Sequence, residues 1–189
     1  GCSCRLGCEY ATEYDQPLPA LAQRGGRDIP VVSVTSKALA ELGPLMQARQ
    51  RSGAAIAENG AVIKRADGVI DAAMGIGHVH AALGALPSEL RDGVYCFADM
   101  GVAGIAALTG LTQDAAALAA KRDATEPFLW RGAGDAPPPA LAAHLAEYGL
   151  RLTRGGRFFH IVPARDKAAA MGALLADYDA LPQSWALGD

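Results

Sequence analysis

Nothing in the sequence approaches the roughly 20 consecutive apolar residues a helix needs to cross a bilayer. The first residues are not a charged segment followed by an apolar one, so no signal peptide is read and a cytoplasmic address is expected by default. Clustered Lys and Arg are also missing. Phosphate-backbone binding requires such clusters, and a formal net charge of -3 argues further against a nucleic-acid partner. A small anionic substrate stays open, because a few placed cations suffice. Cysteine is scarce, at Cys2, Cys4, Cys8 and Cys96, and with no His beside the crowded trio a soft-metal site is disfavoured. Residues 1–15, GCSCRLGCEYATEYD, have no initiator Met, no apolar alternation and little β-branching. They read as an irregular, oxidisable segment rather than a strand.

What is present is a globular composition: 189 residues, 51% hydrophobic and 20% charged, enough for one sizeable core or two small ones. The chain is organised around residues 29–63. Ile29, Val31, Val32 and Val34 form a β-branched run that stops on Thr35-Ser36-Lys37, as a strand buried on both faces would with polar groups at its carboxyl end. Open α/β sheets put their chemistry at that end. Helix formers follow over 38–49, with apolar residues at Leu39, Leu42, Leu45 and Met46, and then a short strand over 54–57. Glu58-Asn59-Gly60 turns that strand into Ala61-Val62-Ile63, completing a strand, helix, strand unit with two polar strand ends side by side.

Upstream, Pro17 opens a weakly apolar helix that Gly25-Gly26 ends. After Ile63 the character changes, with a polar turn over 64–68, and a boundary is expected there. Helices are expected over 78–90, 102–108, 114–121 and 139–148, strands over 94–98 and 128–130, and a hairpin of 150–153 with 157–162 about Gly155-Gly156. This module suits an α+β cap. A helix over 167–178, facing inward through Met171, Leu174 and Leu175, and a strand over 185–187 close the chain.

TSK after a hydrophobic strand, then AENGAVI, GGRFFHI over 155–161, Asp166-Lys167 opening a helix and ALGD over 186–189 occur in a distinctive order. That combination resembles the haloacid-dehalogenase-like phosphatases of the Cof type, and within them the mannosyl-3-phosphoglycerate phosphatases. The resemblance implies a Rossmann-type α/β core with a parallel sheet, residues 16–63 and 164–189, interrupted by an α+β cap, residues 64–163. It implies Mg²⁺-dependent hydrolysis of a small phosphorylated sugar or glycerate. The expected reaction converts mannosyl-3-phosphoglycerate to mannosylglycerate and phosphate, with another sugar phosphate, or anion binding without turnover, as alternatives.

Each site residue carries two readings. From spacing alone, Thr35 is a strand-end hydroxyl capping the next helix, and Asn59-Gly60 is a turn. The resemblance makes Thr35 a phosphate donor, with Ser36 and Lys37 beside it, and sets Asn59 and Gly60 at the margin of the site. Lys167 at a helix start is electrostatically odd unless an anion sits there, and it matches the family's phosphate-binding Lys. Gly156, Arg157 and His160 lie on the cap hairpin and, by resemblance, recognise the phosphoglycerate portion; the other reading is a solvent-facing hairpin. Asp189 matches the first metal-ligating Asp. Arg122 and Glu126 lie in KRDATEPF, which only loosely resembles the family's acidic cap motif. His78 and His80 are read as surface residues, since metal ligands on one helix face stand three or four apart. The family's nucleophile is the first Asp of a DxD strand expected ahead of Tyr14, where GCSCRLGC stands without an Asp. This polypeptide is therefore expected to be inactive and to represent part of a longer fold.

Overall fold

The computed structural model describes residues 32–48 and 53–178. The irregular segment 1–15, the helix after Pro17, the start of the strand at 29–31, the strand at 185–187 and Asp189 lie outside the described residues.

The first sheet has the expected strand, helix, strand order, but its first strand is not buried on both faces as the apolar run suggested: among the described residues Ser33 is half-buried and Val34 exposed. Strand β1 (Ser33–Val34) runs parallel to β2 (Ala55–Ala57), pairing Ser33 with Ala55 and Val34 with Ile56. Helix α1 (Leu39–Ala48) makes the crossover. Its start is fixed by Glu41, whose carboxylate accepts from Ala38 N at 2.7 Å. Leu42 is buried against Ala55, Ala57, Ala61 and Val62, with Leu39 and Met46 partly buried beside it; the Leu45 side chain lies outside the description. A single-turn 3₁₀ segment, Glu58–Gly60, then reverses the chain into β3 (Val62–Lys64), antiparallel to β2.

The sheet does not stop where the change of character at residue 63 suggested. After a turn over 65–68 the chain adds β4 (Ile70–Ala72), giving the order β1-β2-β3-β4. The sequence hid this strand because it is three residues long and Ile70 is exposed.

Beyond β4 the chain builds a second sheet. The helix expected over 78–90 is two: α2 (Ile76–Gly84) and α3 (Ser88–Arg91). Pro87 cannot donate an N–H and cannot continue the first. Strand β5 (Val94–Cys96) ends earlier than expected, because Asp99 accepts from Cys96 N at 3.0 Å and opens α4 (Phe97–Thr109) there. Then follow α5 (Gln113–Ala119), β6 (Glu126–Trp130), α6 (Pro139–Glu147) and the hairpin β7 (Leu150–Gly155) with β8 (Phe158–Pro163). The sheet order is β5-β6-β8-β7, antiparallel throughout. Its main core gathers Val79, Leu83, Phe128, Leu141, Leu145 and Ile161, while Phe97 and Ile105 of α4, Ala116 of α5 and Phe158 of β8 form a second cluster.

Helix α7 (Lys167–Leu175) returns to the first sheet and buries Ala170 and Leu174 against Ala54, Ile56 and Ile63. Leu175, expected to face inward, is only half-buried. No helix among the described residues is long and apolar enough to cross a membrane.

Candidate functional site

The end of β1 is knitted to the turn that follows β2. Thr35 N donates to Ile56 O at 2.9 Å, which continues the parallel ladder one residue past the strand. Asn59 N then donates to Thr35 O at 3.1 Å, and Glu58 N to Lys37 O at 3.0 Å. The Thr35 hydroxyl accepts from Lys37 N at 3.2 Å, so it closes a local turn and does not cap α1. A hydroxyl that accepts one bond still has its own O–H to donate. Lys37 pairs with Glu41 at 3.6 Å, and the Ser36 carbonyl accepts from Arg122 at 3.2 Å.

The turn itself is conformationally costly. Glu58, Asn59 and Gly60 have φ of 50°, 60° and 100°, a left-handed sequence that only the last residue adopts freely. Gly60 is required for a second reason: a Cβ there would overlap the Asp166 carbonyl group and stand 2.5 Å from Lys167 N. The turn therefore lies directly on the first peptide of α7. Lys167 is the first residue of that helix and is exposed. Its neighbour Asp166 is the N-cap, accepting from Ala169 N at 2.8 Å. This carboxylate offsets the unfavourable position of a cation at a helix start. Through these contacts the backbone at Thr35, Asn59, Gly60 and Lys167 is gathered on one edge of the first sheet.

Glu58 was not singled out from sequence. It is fully buried, and its carboxylate accepts from Asp123 N at 2.7 Å, Ala124 N at 3.1 Å and Thr125 Oγ1 at 2.7 Å. Arg122 Nε stands 3.6 Å away, with a side chain only 5% exposed. Arg122 also donates to Thr125 Oγ1 at 2.7 Å. The KRDATEPF stretch thus docks on the first sheet through a buried carboxylate, a partnership invisible in sequence because the residues are 65 to 67 positions apart. Glu126 has a different task within the second module, accepting from Ala98 N at 3.1 Å and meeting His80 Nε2 at 2.8 Å. His80 is therefore a surface residue with a buried partner, and His78 bonds the Tyr148 carbonyl at 2.8 Å.

The hairpin residues separate. His160 is paired across the sheet with Thr153 and Pro127, and its Nδ1 is buried without a hydrogen-bond partner among the described residues. Burial, and then the nearby Arg122 charge, push its pKa down to about 4, so the ring is neutral at physiological pH. Arg157 is exposed and donates to the Leu108 carbonyl near the end of α4. Gly156, at φ 55°, is an exposed turn residue.

Mg²⁺ is the cofactor that the sequence resemblance implies. Among the described residues no group of three or more His, Cys, Asp or Glu stands together as a metal-binding set, so these residues alone do not fit it. Asp189, the ligand expected from sequence, lies outside them.

No family model matches the sequence. Solved structures do match the fold. A phosphatase of the haloalkanoate (HAD) enzyme superfamily from Bacteroides thetaiotaomicron superposes with a TM-score of 0.56 at 21% identity, over 85% of this chain and 63% of that one. A haloacid dehalogenase-like hydrolase from B. subtilis gives 0.52 at 14% identity, over 84% and 70%. A Thermoplasma acidophilum protein gives 0.57 at 14% identity, over 85% of this chain and 61% of its own length. The described structure has the fold of the haloacid-dehalogenase-like hydrolases. The chain spans less than two thirds of the Thermoplasma protein and of the Bacteroides phosphatase.

Proposed function

We propose that this chain carries the phosphate-holding side of a phosphomonoester hydrolase, with the second sheet and its helices, residues 76–163, acting as its cap. The observation that supports it best is the junction where a strand-end Thr35, the Asn59–Gly60 turn and the helix start at Lys167 meet in a hydrolase-type fold. Thr35 donates its hydroxyl proton to a phosphate oxygen. Lys167 offers three ammonium donors from an exposed position, and both stabilise the extra charge that develops as the ester bond breaks. Arg122 donates to the Ser36 carbonyl beside Thr35 at 3.2 Å and so supports the strand-end backbone of the same site.

The finer reading is carried by the sequence resemblance. It makes mannosyl-3-phosphoglycerate the first substrate to try, with Mg²⁺ as cofactor and Asp189 as a ligand to it. The experiment is phosphate release from mannosyl-3-phosphoglycerate and a panel of sugar phosphates with Mg²⁺. The 189-residue polypeptide is expected to release none above background, because residues 1–13 contain no Asp to act as nucleophile. A chain in which an intact DxD strand replaces residues 1–13, and which continues past Asp189 as in the resembled family, is expected to turn over and to lose that turnover in Lys167→Ala. Turnover by the polypeptide as given would show that the nucleophile has been misplaced, with Asp15 the first residue to substitute. No turnover from the repaired chain on any phosphomonoester would refute the hydrolase reading.

A further inference from the structure

Arg165, two residues ahead of Lys167, has no part in any motif the sequence presented. Its guanidinium nevertheless makes a dense set of contacts. Nε donates to Gly60 O at 3.0 Å, Nη2 to Ala61 O at 2.8 Å and Asp71 O at 2.9 Å, and Nη1 to Asp71 Oδ2 at 3.0 Å. These acceptors belong to the turn beside the candidate site and to β4. Ala61 O also receives Ala73 N at 2.8 Å. Arg165 stands on the return crossing between the sheets, residues 164–166, and Ala73 on the outward crossing, residues 73–75; both crossings are thus tied to the same turn, the return one by the Arg165 side chain and the outward one by Ala73 N.

The contact has a consequence for Lys167. The Gly60 α-carbon packs on the Asp166–Lys167 peptide so tightly that a methyl group has no room. Whatever fixes Gly60 O relative to Arg165 also fixes the first turn of α7 relative to the end of β1, since Asn59 is bonded to Thr35. A group needed only to neutralise Asp71 need not be Arg. Four oxygens in a common plane of donors require the planar fork that Lys lacks.

We propose that Arg165 is a positioning residue: it clamps the Gly60–Ala61 turn to the start of α7 and so sets the distance at which Lys167 and Thr35 share one anion. This rests on the phosphate site proposed above. Lys167 would touch the anion, and Arg165 would act through it.

The test is a double-mutant cycle read by inorganic phosphate binding to the full 189-residue chain, measured by calorimetry. Arg165→Ala is expected to weaken phosphate about tenfold, the scale of one misaligned charge-assisted hydrogen bond. Arg165→Lys keeps the pairing with Asp71 and is expected to lose about threefold. In the Lys167→Ala background neither substitution should weaken phosphate further, because the clamp has nothing left to position. A purely structural residue would instead give additive losses. Arg91→Ala removes a comparable clamp within the second module, on Val94 O at 2.8 Å and Asp99 at 2.7 Å, and should leave phosphate affinity unchanged. Additive losses, or wild-type affinity in both Arg165 variants, would overturn the positioning role while sparing the phosphate site. Equal phosphate affinity in wild type and Lys167→Ala would overturn the phosphate site itself, and the positioning role with it. If Arg165→Ala does not fold, Arg165→Lys carries the same cycle.

Discussion

The two sheets are held together by different physics. Around the second sheet the core is large and apolar, with Phe128, Leu141, Leu145 and Ile161 fully buried. The contact side of the first sheet is built largely of small residues, Ala55, Ala57, Ala61 and Ala124, with Leu42 and Val62. Small side chains let backbone segments approach closely, and the specific geometry there comes from hydrogen bonds to main-chain atoms, through Glu58, Arg165 and the strand-end turn. Apolar burial stabilises but is tolerant of small shifts. A polar junction is directional, and leaving one buried partner unpaired costs more than the pair was worth. The first module is thus shaped for placement and the second for bulk stability.

The sharpest way to break this contrast is at Glu58. Glu58→Ala removes the carboxylate that satisfies two backbone N–H groups and faces Arg122, leaving a buried cation without its counter-charge. A destabilisation of about 3–5 kcal/mol is expected by chemical denaturation. A loss under about 1 kcal/mol, the range of an exposed pair, would mean that the junction contributes little.

Two glycines offer a paired measurement of smaller size. Gly60→Ala meets both the left-handed φ and the Asp166 backbone, and should cost about 2–4 kcal/mol from strain and overlap together. Gly156→Ala also sits at positive φ but has nothing near its Cβ, so only the backbone penalty of about 1–2 kcal/mol applies. Equal costs in denaturant melts would erase the difference in packing between the two turns.

Smaller again is the acid sensitivity of His160. Its pKa in the folded chain is lowered to about 4 from 6.5, so the unfolded chain takes up a proton first as pH falls. The stability this residue contributes is fully present above pH 6.5 and is lost as pH falls toward 4, with an upper bound on the order of 3 kcal/mol. His160→Asn should therefore lose less stability than wild type between pH 6.5 and 4. Parallel losses in the two proteins would show that the imidazole is not held neutral by burial.

The same contrast explains what the sequence revealed and what it concealed. Strand, helix, strand and turn over residues 32–48 and 53–64 were legible because apolar runs with fixed periods end on polar residues, and local chemistry sets each boundary. The Lys167 helix start was legible too, since Asp166 is a strong N-cap. The hairpin about Gly155-Gly156 was visible through its glycines. Strand β4 was not, because a short exposed edge carries no period to read. Glu58 and Arg165 were concealed for another reason. Their partners lie 65 to 105 residues away, and no local pattern announces a long-range bond to a main-chain carbonyl or amide. Arg157 is a favourable residue type in an exposed loop, where it donates to the Leu108 carbonyl.

The central claim is that Thr35 and Lys167, from segments far apart in sequence, hold one anion. A crystal structure of this chain grown with tungstate, an electron-dense mimic of phosphate, tests it most directly. The account predicts tungstate bound within about 3 Å of both Thr35 Oγ1 and Lys167 Nζ, with the Asn59–Gly60 turn at its margin. Tungstate seated elsewhere, or Lys167 Nζ more than about 15 Å from Thr35 Oγ1 and so out of reach of any shared phosphate, would contradict it.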